Sequence, residues 1–149
     1  MESTCTLNNM TKGKLPSLPF ADMKNAVLGK DYDLSVAFVS EQESHKINLQ
    51  TRGKDKPTNI LSFPLDKNSG EIIMCLPYAK KEAPDFDREY ENYIGFLFIH
   101  GLVHLKGFDH GSIMESEEEK FRTMFGIYLL LSFFIVARII TVGIDVGTH

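Results

Sequence analysis

Cysteine is nearly absent from this chain: Cys5 and Cys75 are the only thiols, and they lie far apart in sequence. That excludes a disulfide framework, and neither thiol lies near a partner that would complete a Cys/His metal cluster. The polar stretch Met1 to Lys14 lacks the apolar core of a secretory signal, and no internal repeat is visible. A reducing compartment, the cytoplasm, is therefore the expected location. Positive charge is also scarce, with 16 Lys and Arg against 20 Asp and Glu for a net charge of −4. Bulk charge thus gives no footing for nucleic acid; only a local basic strip could track a phosphate backbone, with modest and salt-sensitive affinity. No series of aromatics with RNA-stacking spacing stands out, so base-specific readout is not expected. What the chain does have is apolar residues, 43% of its 149. That is enough for one domain with a single core.

Histidine is the informative residue. Three of the five fall in the segment His100–His110, HGLVHLKGFDH. His100 and His104 are four apart and share one face of a helix. Gly107 permits the left-handed turn that ends such a helix and can bring His110 back beside them. Three converging imidazoles make a tridentate site for a divalent metal, most naturally one zinc with an open fourth position. Upstream, Asp87 is expected to cap the helix, with Glu89 and Glu91 in its first turn. Tyr93, Ile94, Phe96, Leu97, Phe98, Ile99, Leu102, Val103 and Leu105 leave it apolar on nearly every side, as in a buried central helix. Asp109 reads either as an acceptor orienting an imidazole or, preferably, as a turn residue.

The spacing is that of the H-E-x-x-H-x-x-G-x-x-H zinc peptidases, but the general-base Glu is replaced by Gly101. A zinc site without that base suits chemistry needing a Lewis acid and local positive charge, such as phosphoryl transfer. A second segment agrees with this. In RGKDKPTNILSFP, Arg52, Lys54 and Lys56 alternate through a Gly- and Pro-punctuated loop before the short strand Ile60–Phe63. The loop is either merely solvated or a grip on phosphates, with Arg52 suited to bidentate contact.

Together, Arg52–Pro64 and His100–His110, in that order and with the strand around Gly70–Ile73 between them, resemble the two signature blocks of the YbeY-type rRNA-maturation endoribonucleases. The likeness spans roughly residues 20 to 126. It implies that His100, His104 and His110 bind one zinc ion and that Arg52 is catalytic; Lys54 and Lys56, read from the basic strip itself, are the candidate RNA contacts. It also implies a hydrolase acting on single-stranded RNA, notably the 3′ end of 16S rRNA precursors, with precursor rRNA and the ribosomal subunit as partners. A role in ribosome quality control follows from the same likeness, and no nucleotide cofactor is expected. The rivals are a metallopeptidase of similar spacing and a non-catalytic zinc-stabilised RNA-binding module.

The coarse element pattern predicts an α+β fold: a small mixed sheet packed with helices, the central buried helix carrying the histidines in a zincin-like arrangement. Helices are expected at Pro19 to Leu28, from Ser40 (capping box with Glu43) to about Thr51, and from Ser112 (capping box with Glu115) to about Phe125. Strands are expected at Leu34 to Val39, Ile60 to Phe63 and Glu71 to Leu76, covered mainly on one side, with a fourth hidden in the first thirty residues. The endoribonuclease domain is placed at 1–126, with an apolar extension at 127–149. Within that extension, 127–144 reads as a helix packed on the domain or a second subunit, a weak membrane anchor, or a disordered or non-native extension; Arg138 is costly in hydrocarbon.

Overall fold

Leu34, Val36 and Phe38 alternate with Ser35 and Ala37, the two-residue period of a strand with one buried face. They form that face of β2 (Asp33–Phe38). Gly70, Ile72 and Met74 do the same in β4 (Ser69–Met74). The computed structural model describes residues 4–129. In it these two strands pair in parallel at the centre of a four-stranded sheet, and β1 (Cys5–Asn9) lies parallel on the outer side of β2. On the other edge, β3 (Ile60–Asp66) runs antiparallel to β4 through a tight turn at Lys67 and Asn68. Pro64 sits in β3 because an edge strand has one side on which no backbone N–H is needed, and the register slips just beyond it. The mixed α+β architecture is the expected one, and the fourth strand does lie in the first thirty residues.

Among the described residues five helices accompany the sheet: α1 (Phe20–Leu28), α2 (Glu41–Arg52), α3 (Leu76–Glu82), α4 (Tyr90–Leu105) and α5 (Ser112–Met124). The Ser40 side chain accepts from the Glu43 amide and caps α2 as expected. Two other caps differ. Asp87 adopts φ 54, ψ 38 and closes a short 3-10 turn (Ala83–Phe86), so extended Glu89 takes the N-cap position before α4. Gly111 precedes α5, leaving Ser112 inside the helix, while Glu115 turns outward to Arg122 at 2.9 Å. Leu76 is not the end of a strand but the start of α3, an element absent from the sequence reading.

Helix α4 is the centre of the domain, packed against α1, α3, α5 and β3. Ile94, Phe98, Ile99, Leu102 and Val103 are wholly buried on it, which accounts for its nearly unbroken apolar sequence. Ile127, just past α5, also joins the core, and a side chain at Gly95 would collide with it. Expectations for residues 130–149 lie outside the described residues. Among the described residues no helix is long and apolar enough to cross a membrane.

Candidate metal centre

The last turns of α4 carry His100 and His104 on one face. Gly107, at φ 109, ends the helix, with its amide bonded to the His104 carbonyl at 3.0 Å. A β-carbon is strained at that φ, so the turn depends on glycine. The chain then reverses and His110 returns: the ring centroids stand 4.6 Å apart for His100 and His104, 4.9 Å for His104 and His110, and 5.6 Å for His100 and His110. One ligand nitrogen from each ring lies within 4.8 Å of the others. The three histidines thus converge and could hold a metal ion.

The electrostatics favour a neutral imidazole at His104. Burial, and then the neighbouring rings of His100 and His110, push His104 below the usual histidine range. His100 Nδ1 lies 2.6 Å from Glu118 Oε1. A carboxylate only accepts, so Nδ1 carries the proton and Nε2 keeps its lone pair for a metal. The donor set therefore fits a borderline cation such as zinc, by both ligand type and number. Asp109 is exposed and takes no part in this arrangement; the orienting carboxylate is Glu118, which the sequence reading missed. Glu118 is only 4% exposed, on the α5 stripe with buried Met114 and Phe121. A charged residue at an apolar stripe position was the available signal.

Gly101 now has a structural reason. A β-carbon there would lie 2.8 Å from Ile60 Cδ1 and 2.9 Å from Ser62 Oγ, so this face of α4 is pressed onto the sheet. Ser62 Oγ also donates to the Gly101 carbonyl at 3.3 Å. The position where zinc peptidases of this spacing carry their base is filled here by the approach of β3.

Arg52 is the last residue of α2, fixed there by Gly53 in the left-handed region (φ 68, ψ 18). The basic segment that follows is solvent-exposed through Lys56 but is not loose. The polar face of α2 fastens it: Asn48 Nδ2 donates to the Lys56 carbonyl at 2.8 Å, and Ser44 Oγ donates to the Thr58 carbonyl at 2.9 Å. His45 Nε2 meets Asp55 at 2.6 Å. One cavity of about 750 Å³ is lined by Arg52 together with His100, His104 and His110, and by Glu118 behind them. Lys54 and Lys56 are exposed and do not line it. The arrangement sets three imidazoles that could hold a metal and one guanidinium around a common space, suited to an anionic group.

Comparison with known proteins agrees in extent. The family model described as Endoribonuclease YbeY matches residues 15–127. A relative named Endoribonuclease YbeY from Acinetobacter baumannii is 32% identical over 121 residues, covering 74% of this chain and 77% of its own length. Another of that name from Staphylococcus carnosus is 37% identical over 115 residues, covering 69% and 72% respectively. The solution structure of the Thermotoga maritima protein TM1509 superimposes with a TM-score of 0.60 at 28% identity, over 79% of this chain and 86% of that one.

Proposed function

The chain belongs to the YbeY endoribonuclease family, and from that premise we propose that it is a single-zinc, single-strand-specific endoribonuclease. Its substrate on this reading is precursor rRNA, at the 3′ end of the 16S species, with a further role in ribosome quality control in the cytoplasm. The observation that carries the proposal is the shared cavity: His100, His104 and His110 meet Arg52 across one space.

His100, His104 and His110 would hold the zinc, whose chemistry there is Lewis-acid polarisation and concentrated positive charge beside a phosphodiester. Glu118 keeps the His100 ring in one tautomer and orientation. Arg52 pairs with non-bridging phosphate oxygens and stabilises the charge that accumulates on pentacoordinate phosphorus. The nucleophile is either water or the adjacent ribose 2′-hydroxyl. End-group analysis separates these, since a 2′,3′-cyclic phosphate product excludes direct attack by water.

The peptidase rival finds no support at Gly101, where β3 occupies the space a base would need. The deciding experiment couples metal analysis to a cleavage assay on a precursor 16S rRNA 3′ end, with His104→Ala as control. One zinc per chain and cleavage lost in His104→Ala are expected. Cleavage that persists in fully metal-stripped protein, or casein hydrolysis without RNA cleavage, would overturn the proposal. Arg52→Ala separates enzyme from binding module: turnover should fall at least about a hundredfold, while zinc content and melting temperature stay unchanged.

A further inference from the structure

Three aromatic rings separated in sequence form a column in the wall of the same cavity. Phe86 stacks on Tyr93 with centroids 5.1 Å apart and planes at 19°, and Tyr93 lies near-parallel to Phe96 at 6.0 Å and 15°. All three line the cavity that holds the histidines and Arg52. The column is fixed from behind. Tyr93 is 1% exposed, with its hydroxyl donating to Glu82 at 3.1 Å, and the Arg88 guanidinium lies 4.2 Å over the Phe96 ring. Phe86 is the member left open, 47% exposed at the end of the 3-10 turn.

We infer that Phe86 is the open face of a nucleobase-stacking subsite, which takes one unpaired base of the RNA strand whose phosphate lies at Arg52. The inference rests on the endoribonuclease reading and deepens it by naming what the cavity holds besides a phosphate. A space of about 750 Å³ is well beyond what one phosphate group needs, and falls in the range that encloses a drug-sized ligand. An exposed aromatic face costs little to cover with another flat ring, and every base has such a face. A rigid column holds that face in place without the entropy loss of ordering a free side chain. Stacking demands an unpaired base, so single-strand preference follows from the shape of the site. The column also supplies the stacking aromatics that the linear sequence did not reveal, because the 3-10 turn and the start of α4 bring them into line.

The chain contains no tryptophan, so Phe86→Trp places a unique fluorophore at the subsite. Zinc-loaded Phe86→Trp protein is titrated with single-stranded oligoadenylate and with a strand of the same length carrying abasic nucleotides. Quenching by oligoadenylate, absent or much weaker with the abasic strand, is the expected result. In cleavage assays Phe86→Ala and Phe86→Leu should both raise KM for RNA by on the order of tenfold, and Phe86→Tyr should restore it. Leucine preserves the apolar bulk, so its failure to rescue separates stacking from structural support. Equal quenching by the two strands, or an unchanged KM in Phe86→Ala beside an active wild type, overturns the subsite alone. A wild type that does not cleave RNA, together with Phe86→Trp protein that shows no quench with either strand, overturns the endoribonuclease reading as well.

Discussion

The carboxylate of Glu118 offers the most discriminating test of the metal centre. Its side chain is 6% exposed and its Oε1 stands 2.6 Å from His100 Nδ1, at the short end of charge-assisted hydrogen bonds. Solvent has little access to the carboxylate, so most of the cost of losing the contact falls on the His100 ring. Glu118→Gln keeps the volume but is neutral, and its amide can equally well turn an N–H towards the ring. Either way, His100 loses the partner that fixes its tautomer and raises its basicity. Removal of such an orienting partner weakens metal affinity by roughly 10- to 100-fold. At about 1.4 kcal/mol per tenfold that is roughly 1.4–2.8 kcal/mol, and the burial argues for the upper half of the range. Competition against a chromogenic chelator measures the zinc Kd directly, independent of any RNA assay. Melting of the metal-free proteins should agree within about 1 kcal/mol, since the substitution is nearly isosteric. A Kd within twofold of wild type would refute the assignment of Glu118 as the orienting group.

Other perturbations probe the frame around the site. Gly101→Ala should lower stability by about 1–2 kcal/mol in urea denaturation despite alanine's better helix propensity, because the new β-carbon meets Ile60 and Ser62 at under 3 Å; equal or greater stability would contradict the close helix–sheet approach. Lys24 is fully buried, and its Nζ donates to the carbonyls of Tyr32 at 2.7 Å, Gly29 at 3.0 Å and Lys30 at 3.3 Å. Lys24→Met should therefore cost about 3 kcal/mol by chemical denaturation, as three acceptors lose a charged donor. Burial, and then the Glu82 carboxylate, raise the Tyr93 phenol well above its ordinary value of 10.0. The folded state then holds a proton that the unfolded chain releases, so this contribution is complete below pH about 10 and is lost as the pH rises further. Urea midpoints between pH 8 and 11 should fall less steeply for Tyr93→Phe than for wild type.

Much of this was legible in the linear chain, for identifiable reasons. The histidines could be read because four residues on a helix and one glycine turn set their geometry locally. Ser40 could be read because its partner is the amide of Glu43, three residues on. Glu118 was hidden within a run of acidic residues that reads as a solvated face, and only its register with Met114 and Phe121 places it inside. Asp87 and Ser112 carried good capping chemistry, but the backbone conformations of Asp87 and Gly111 decided where the helices began. Tertiary geometry overrode a local preference in both cases. The aromatic column was invisible because Phe86 belongs to a different element from Tyr93 and Phe96.

The three histidines that could hold a metal come from a single short stretch, whereas Arg52 reaches the cavity from the other side of β3 in sequence. Loop-closure entropy rises with the length of chain enclosed. The imidazoles therefore need only α4 and its terminal turn to meet, while the guanidinium must wait for the sheet edge to assemble. A cation retained by the native arrangement and not by the unfolded chain shifts the equilibrium by mass action. Any cation that the three histidines hold would thus raise the melting temperature of the protein with its free concentration.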